Sequence, residues 1–225
     1  MPDTRFSWRG LREHLRKFLW VYLVGIALCL AGTHLLWTVT RPRLSNEQVV
    51  TVIMADSYSN PAPLDDVAAE MLARTQPFDE RLKDVAFESM MYSDDYTSRM
   101  VLVTRLAVGE GDAFLASQAA MDALATSDAL LPLDESVAAG WLGAYGLEPY
   151  YATVQDDQTG EETTFLAGLR IDPLTALIYR GAFNNQDAFL CVANNGGNVE
   201  TTMKALETMV EILSEASKDV GTKAA

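Results

Sequence analysis

The most regular feature of the chain is an unbroken apolar run. Residues Phe18–Val39 read FLWVYLVGIALCLAGTHLLWTV and contain no Asp, Glu, Lys or Arg. A helix over this run is roughly 33 Å long at about 1.5 Å per residue, enough to cross the hydrocarbon core of a bilayer. A soluble core helix carries a polar stripe, and this run has none. Trp20, Tyr22 and Trp37 lie towards its ends, where amphipathic rings favour the membrane interface. His34 is its only strongly polar side chain and is expected as a neutral residue near the outer interface. The run exceeds the apolar core of a cleaved signal peptide, and no small-x-small cleavage site follows it. Leu28 stands where a lipidation signal at Cys29 would need a small residue. An uncleaved transmembrane helix at 18–39 is therefore expected, between a basic tail at 1–17 and a polar linker at 40–48.

Beyond the linker the pattern becomes that of an α/β domain over 49–218, with a frayed tail at 219–225. Val49–Ala55 (VVTVIMA) is near-continuously apolar and β-branched, as a strand buried on both faces reads. Leu64, Val67, Ala68, Met71 and Leu72 recur at helical spacing, with Asp65 and Asp66 in the first turn, where the helix dipole favours them. Asp84–Tyr92 reads as a second strand. Asp95–Val108 reads as a helix with Met100, Val103, Leu106 and Ala107 on one face. Ala113–Leu115 is a short third strand, and Ser117–Ala125 a helix of small residues. This alternation predicts a mostly parallel sheet with helices on both faces. Val137–Tyr151, rich in Gly and aromatic residues, reads as short helix and loop. Ala152–Gln155 and Thr163–Leu169 flank a turn-rich acidic segment as a hairpin. Phe189–Ala193 is a further buried strand. Val199–Ser217 is an amphipathic helix with Met203, Leu206, Met209, Val210 and Leu213 inward.

Charge sets orientation and excludes partners. Arg5, Arg9, Arg12, Arg16 and Lys17 precede the apolar run, and only Arg41 and Arg43 follow it closely. This asymmetry favours a cytoplasmic N-terminus and an extracytoplasmic C-terminal domain. Residues 1–43 hold seven of the 17 basic and two of the 31 acidic residues, which leaves the outer domain ten against 29, a net charge of −19. Such a surface repels nucleic acid and anionic lipid.

The stretch Leu106-Ala107-Val108-Gly109-Glu110-Gly111-Asp112-Ala113-Phe114-Leu115, followed by Leu130-Leu131-Pro132-Leu133-Asp134, resembles a pattern of extracellular solute-binding proteins, the periplasmic-binding-protein-like receptors of bacterial uptake systems. The strand and helix order before it is similar to that family's first lobe. The strand and long helix at Asp187–Val192 and Val199–Leu213 resemble its re-entry into a lobe. The resemblance implies the fold of one lobe, tethered to a bacterial membrane. Only residues 135–168 separate the two parts, so a full second lobe does not fit. The implied function is an interaction or accessory module, with a solute-binding receptor as the alternative and an enzyme ranked last.

The chemistry of the domain agrees with that ranking. His14 and His34 are the only histidines and neither lies in it, so Ser-His-Asp, Cys-His and histidine-bound zinc sites are excluded there. Cys191, in a predicted buried strand, reads as a small core residue. The adjacent carboxylates Asp65/Asp66, Asp94/Asp95, Asp156/Asp157 and Glu161/Glu162 point in different directions and read as solvated faces. Gly109-Glu110-Gly111-Asp112 lacks the lysine and spacing of a phosphate loop and reads as a turn. No catalytic residue, metal site or cofactor is expected. In open α/β sheets ligands lie beyond the C-terminal ends of the strands. Ser57 and Tyr58 after the first strand and Ser117 and Gln118 after the third are therefore the candidate ligand-binding residues, with Asn194 after the last strand. The expected partners are the membrane itself and a membrane protein or a small solute.

Overall fold

The computed structural model describes residues 8–40, 44–126, 129–133, 140–141, 144–155, 162–184, 186–194 and 198–224. The chain divides into two units, Met1–Arg43 and Leu44–Ala225.

The first unit is one helix, α1 (Trp8–Thr40). Within it Arg16–Trp37 is long and apolar enough to cross a membrane, with a mean hydropathy of 1.9. All its side chains between Arg16 and Trp37 are exposed. Residues 8–17, expected as part of a tail, are the first turns of the same helix. Arg9, Arg12 and Arg16 recur along it at close to the helical period.

The second unit begins with a turn of 3-10 helix at Asn46–Gln48. The Gln48 carboxamide accepts the Ser45 amide at 3.1 Å, and the Gln48 carbonyl accepts the Lys83 amide at 2.8 Å. The linker is thus fastened to the domain at its far end. Then follow β1 (Val49–Asp56), α2 (Asp65–Thr75), β2 (Asp84–Met91), α3 (Tyr96–Ala107), β3 (Ala113–Ser117), α4 (Gln118–Ala125), β4 (Glu148–Gln155), β5 (Glu162–Arg170), the single turn α5 (Ala176–Tyr179), β6 (Ala188–Val192) and α6 (Val199–Ala224). The six strands form one sheet in the order β2-β1-β3-β6-β5-β4.

The sheet is mixed, where the sequence pattern predicts a mostly parallel one. β1 runs parallel to β2 and β3. β6 is antiparallel to β3 and β5, and β4 is antiparallel to β5. The connections explain the change. A parallel return needs a long crossover, and α2 and α3 provide two. β5 and β6 are joined by a single helical turn and a tight bend at Asp187, whose φ is 51°, so β6 comes back antiparallel. Tyr150 and Tyr151, read as loop, belong to β4. α6 continues to Ala224, past the expected onset of fraying at Asp219.

Two apolar layers cover the sheet. Val50, Val52 and Met54 of β1, Ala113 and Leu115 of β3, and Leu190 and Val192 of β6 pack with Val67 and Met71 of α2 and Leu206, Met209, Val210 and Leu213 of α6. Ile53 and Ala55, Phe114 and Ala116, and Phe189 and Cys191 face the other way, onto Leu102 of α3 and Met121 and Leu124 of α4. Strict alternation along three adjacent strands divides the layers. β5 breaks the alternation, because Leu166 and Leu169, three residues apart, both join the first layer. The pairing with β4 shifts register between Tyr150 and Tyr151, leaving Ala167 as an extra residue. That bulge rotates Leu169 back to the face that Leu166 occupies. Cys191 is buried in the second layer and its thiol lies 3.9 Å from the Phe114 carbonyl. Burial pushes that thiol's pKa far up.

α3 is seated differently from the sequence expectation. Leu102 is its only buried residue, and Leu106 is partly buried beside it. Met100 and Val103, from the expected inward face, are 46% and 45% exposed. The helix starts where Asp95 caps it, its carboxylate accepting the Ser98 amide at 2.9 Å.

The start of α6 is held by Asp79, in the bend after α2. The Asp79 carboxylate accepts the Asn198 carboxamide at 2.7 Å and the Thr201 hydroxyl at 2.8 Å, while Arg81 Nε donates to it at 3.0 Å. The Arg81 guanidinium, followed by the Thr201 hydroxyl and the Arg81 amide, holds this carboxyl far below the usual range.

Two stability predictions follow from this packing. A Cβ on Gly168 would lie 2.7 Å from the Leu190 carbonyl oxygen and 3.1 Å from Met121 Cε. Since the closest atom is backbone, Gly168→Ala should destabilise the fold by about 1–3 kcal/mol, read by denaturant unfolding. Because the Asp79 pKa is lower folded than unfolded, its contribution is complete above the ordinary carboxylate range and fades as pH falls through it. Asp79→Asn should therefore lower the melting temperature at pH 7, with a deficit that narrows below about pH 4. A deficit constant down to about pH 2 would assign the loss to shape instead.

Candidate functional site

Two of the three parallel strands, β1 and β3, end beside each other. The register pairs Ala55 with Ala116, so Asp56 and Ser117 follow as neighbours at one edge. Beyond Asp56 the chain turns at once. The Asp56 carboxylate accepts the Ser57 amide at 2.7 Å and its hydroxyl at 3.3 Å. Ser59 Oγ donates to the Met54 carbonyl at 3.1 Å and lies 2.7 Å from Ser89 Oγ. The Asn60 amide reaches the Ala182 carbonyl at 2.8 Å, and the Tyr58 hydroxyl reaches the Gly181 carbonyl at 3.4 Å. The loop after β1 is thereby fastened to the segment between α5 and β6.

On the other side of Ser117, Gln118 opens α4. Its carboxamide donates to Asp122 Oδ1 at 2.7 Å, one helical turn on. The Tyr150 hydroxyl of β4 donates to the same oxygen at 3.2 Å. The Tyr150 ring is tilted against Phe189 with centroids 4.7 Å apart. Burial, with the Asp122 carboxylate adding, raises the Tyr150 pKa. A cleft of about 400 Å³ lies here, lined by Asp94, Arg99, Gln118, Ala119, Asp122, Ala123 and Thr126. Arg99 is ion-paired with Asp94 at its rim.

Ser57, Tyr58, Ser117 and Gln118 thus share one edge of the sheet, and of these only Gln118 lines the cleft. Asn194 lies at the opposite end. β6 is antiparallel to β3, so its last residues pass the start of β3: the Ala193 amide donates to the Asp112 carbonyl at 2.9 Å, and the Asn194 amide to Ala129 at 2.7 Å. Sequence reasoning passed over Asp122 and Tyr150. The i, i+4 spacing from Gln118 was a usable signal for Asp122. Tyr150 had none, because its strand was read as loop.

A second cleft, of about 450 Å³, opens at the other ends of β1 and β3, lined by Thr51, Glu88, Arg105, Glu110 and Asp112 among others. Its polar groups are internally matched. Arg105 pairs with Glu88 and with Glu110, both at 2.9 Å. The Asp112 carboxylate accepts the Thr51 amide, and the Thr51 carbonyl accepts the Asp112 amide, each at 2.8 Å. Gly111, at φ 83°, makes the turn that brings Asp112 there. Among the described residues no group of three or more His, Cys, Asp or Glu is placed to hold a metal ion.

The chain matches no family model, no curated protein and no solved structure.

Both clefts are open, and the groups lining them are largely engaged with one another. A ligand would have to displace Gln118 and Tyr150 from Asp122, losing bonds already made. A thermal-shift screen of sugars, amino acids and short peptides on the full chain should therefore give no large stabilisation. Saturation at 100 times the dissociation constant would add about 2.7 kcal/mol. A reproducible rise of several degrees, abolished by Gln118→Ala or Tyr58→Ala, would restore solute capture at this edge.

Proposed function

We propose that the chain is a single-pass membrane protein with a cytoplasmic N-terminus and an extracytoplasmic α/β domain that serves as an interaction or accessory module. In this reading α1 is the anchor. Its apolar run bears no charge, and Arg12 and Arg16, both exposed, face the anionic headgroups of the inner leaflet. The domain is one lobe of the solute-binding kind, kept without the cleft that a second lobe would complete. It carries no catalytic chemistry, takes no cofactor and does not bind nucleic acid.

The observation that carries the module reading is the outer face of α3. Tyr96, Met100, Val101 and Val103 are all exposed on a single helix, more large apolar side chains than any other described helix of the domain exposes. Contiguous exposed apolar surface marks association more often than chance. Solute capture needs a cavity that buries most of its ligand, and the open edge beside Ser117 offers little of that.

Topology is the test. In a background without Cys29 and Cys191, Ser7→Cys and Lys218→Cys should differ towards a membrane-impermeant thiol reagent. The exposed Lys218 position should label in spheroplasts, and position 7 only after permeabilisation. The reverse pattern would overturn the orientation, and recovery of both in the soluble fraction would overturn the anchor.

A further inference from the structure

Along α3 the exposed apolar residues Tyr96, Met100, Val103 and Ala107 fall at i, i+4, i+7 and i+11. That spacing puts them in one seam along the helix, the stripe that two packed helices share. The seam lies opposite Leu102, which is 1% exposed and holds the helix to the sheet. The stripe has a further property: read backwards, it complements itself. If two copies meet antiparallel about a two-fold axis passing between Val101 and Leu102, Met100 faces Val103 of the second copy. Tyr96, the largest residue of the stripe, then faces Ala107, the smallest. Large against small is how facing helices interdigitate, and a two-fold interface requires a patch that complements itself.

Charge favours the same face. The domain's net charge of −19 opposes the meeting of two copies over most of its surface. Among the described residues α3 is the domain's only helix longer than one turn with no Asp or Glu between its ends. Its two arginines are neutralised within the domain, Arg99 by Asp94 and Arg105 by Glu88 and Glu110. In the antiparallel register Arg99 lies across from Thr104 and Arg105 from Ser98, so within the helix no charge meets its like, and the flanking Asp94 and Glu110 are each paired with an arginine of their own copy.

We propose that α3 is a homodimerisation element, pairing antiparallel with α3 of a second copy of this chain. The proposal rests on the anchored reading in one respect. A pair of twelve-residue helices is about 18 Å long and buries less than the ~1,600 Å² of a standard interface. Confinement of tethered copies to one membrane supplies the effective concentration that such a contact needs.

The test uses the full chain without Cys29 and Cys191, co-expressed as two differently tagged copies and oxidised in membranes. Met100→Cys on one copy and Val103→Cys on the other should form a mixed disulfide several-fold more than Met100→Cys on both, because only facing positions bring Cα atoms within bridging distance. Ala107→Tyr should abolish that crosslink by setting tyrosine against tyrosine. Tyr96→Ala combined with Ala107→Tyr should restore it, since large and small have only exchanged places. Both positions are exposed, so the fold is not at stake, and thermal unfolding of each variant checks this. Preferential 100–100 crosslinking, no crosslink in the membrane fraction, or failure of the double variant to recover would each overturn the antiparallel pair. A crosslink from position 100 to a different membrane protein would also overturn it, while leaving the module reading standing. Loss of the chain from the membrane fraction would overturn the anchored reading and with it the confinement that the pair requires.

Discussion

The burial of β1 on both faces is the constraint on which the rest of the domain depends. Val52, Ile53, Met54 and Ala55 are wholly inaccessible, and alternate residues of the strand belong to different cores. A strand of this kind cannot sit on a surface or at a sheet edge. It needs a partner on each side for its backbone groups, which β2 and β3 supply. It also needs an apolar layer above and below. The two crossovers that make those pairings parallel are the helices α2 and α3, so the demand for partners and the demand for cover are met by the same segments. α6 then completes the first layer. Its position is set by Asp79, which binds both Asn198 and Thr201 at the head of the helix.

The seam between β3 and β6 decides what each end of the sheet presents. Had β6 been parallel, Asn194 would have joined Ser57 and Ser117 at one edge. As it runs the other way, the edge beyond β1 and β3 is built instead with the bend at 181–183 and with Tyr150 from the hairpin. These close around Asp56 and Asp122 and leave shallow clefts. The antiparallel half therefore supports the candidate edge and partly fills it.

Much of this was legible in the residues. The bare apolar run of α1, the β-branched run of β1, the spacing of α2 and α6, and the alternation of helix and strand as far as α4 are local patterns with local causes. β6, entirely apolar at Phe189–Val192, was equally plain, but its direction was not, since direction depends on how long the connection is and what it packs on. β4 was half hidden because Pro149, Tyr150 and Tyr151 read as loop residues, yet they lie on an outer strand where proline and exposed tyrosine are tolerated. α3 was legible as a helix and misread in its facing. Its apolar residues cover most of its circumference, so periodicity alone could not choose between Leu102 and Met100 as the inward side. The same ambiguity is the physical basis of its unpartnered stripe. At the candidate edge, Ser57, Tyr58, Ser117 and Gln118 follow β1 and β3 as the strand order implies, while the Asp122–Tyr150 contact joins segments 28 residues apart and was beyond any local pattern.

Cys191 gives the domain an internal gauge. Its thiol sits under α3 and α4 on one face of the sheet with no exposure, and its ionisation is suppressed by that burial. Thiolate is the reactive form, so a reagent in solution meets it only when the layer that α3 and α4 pack onto the sheet opens. The rate of modification then reports how often that second core opens, in the way that slow amide exchange does. Fraying at the ends of α6 or motion in the outer hairpin would leave that rate unchanged. A single native side chain thus separates loosening of the periphery from opening of the core, without a label having to be introduced.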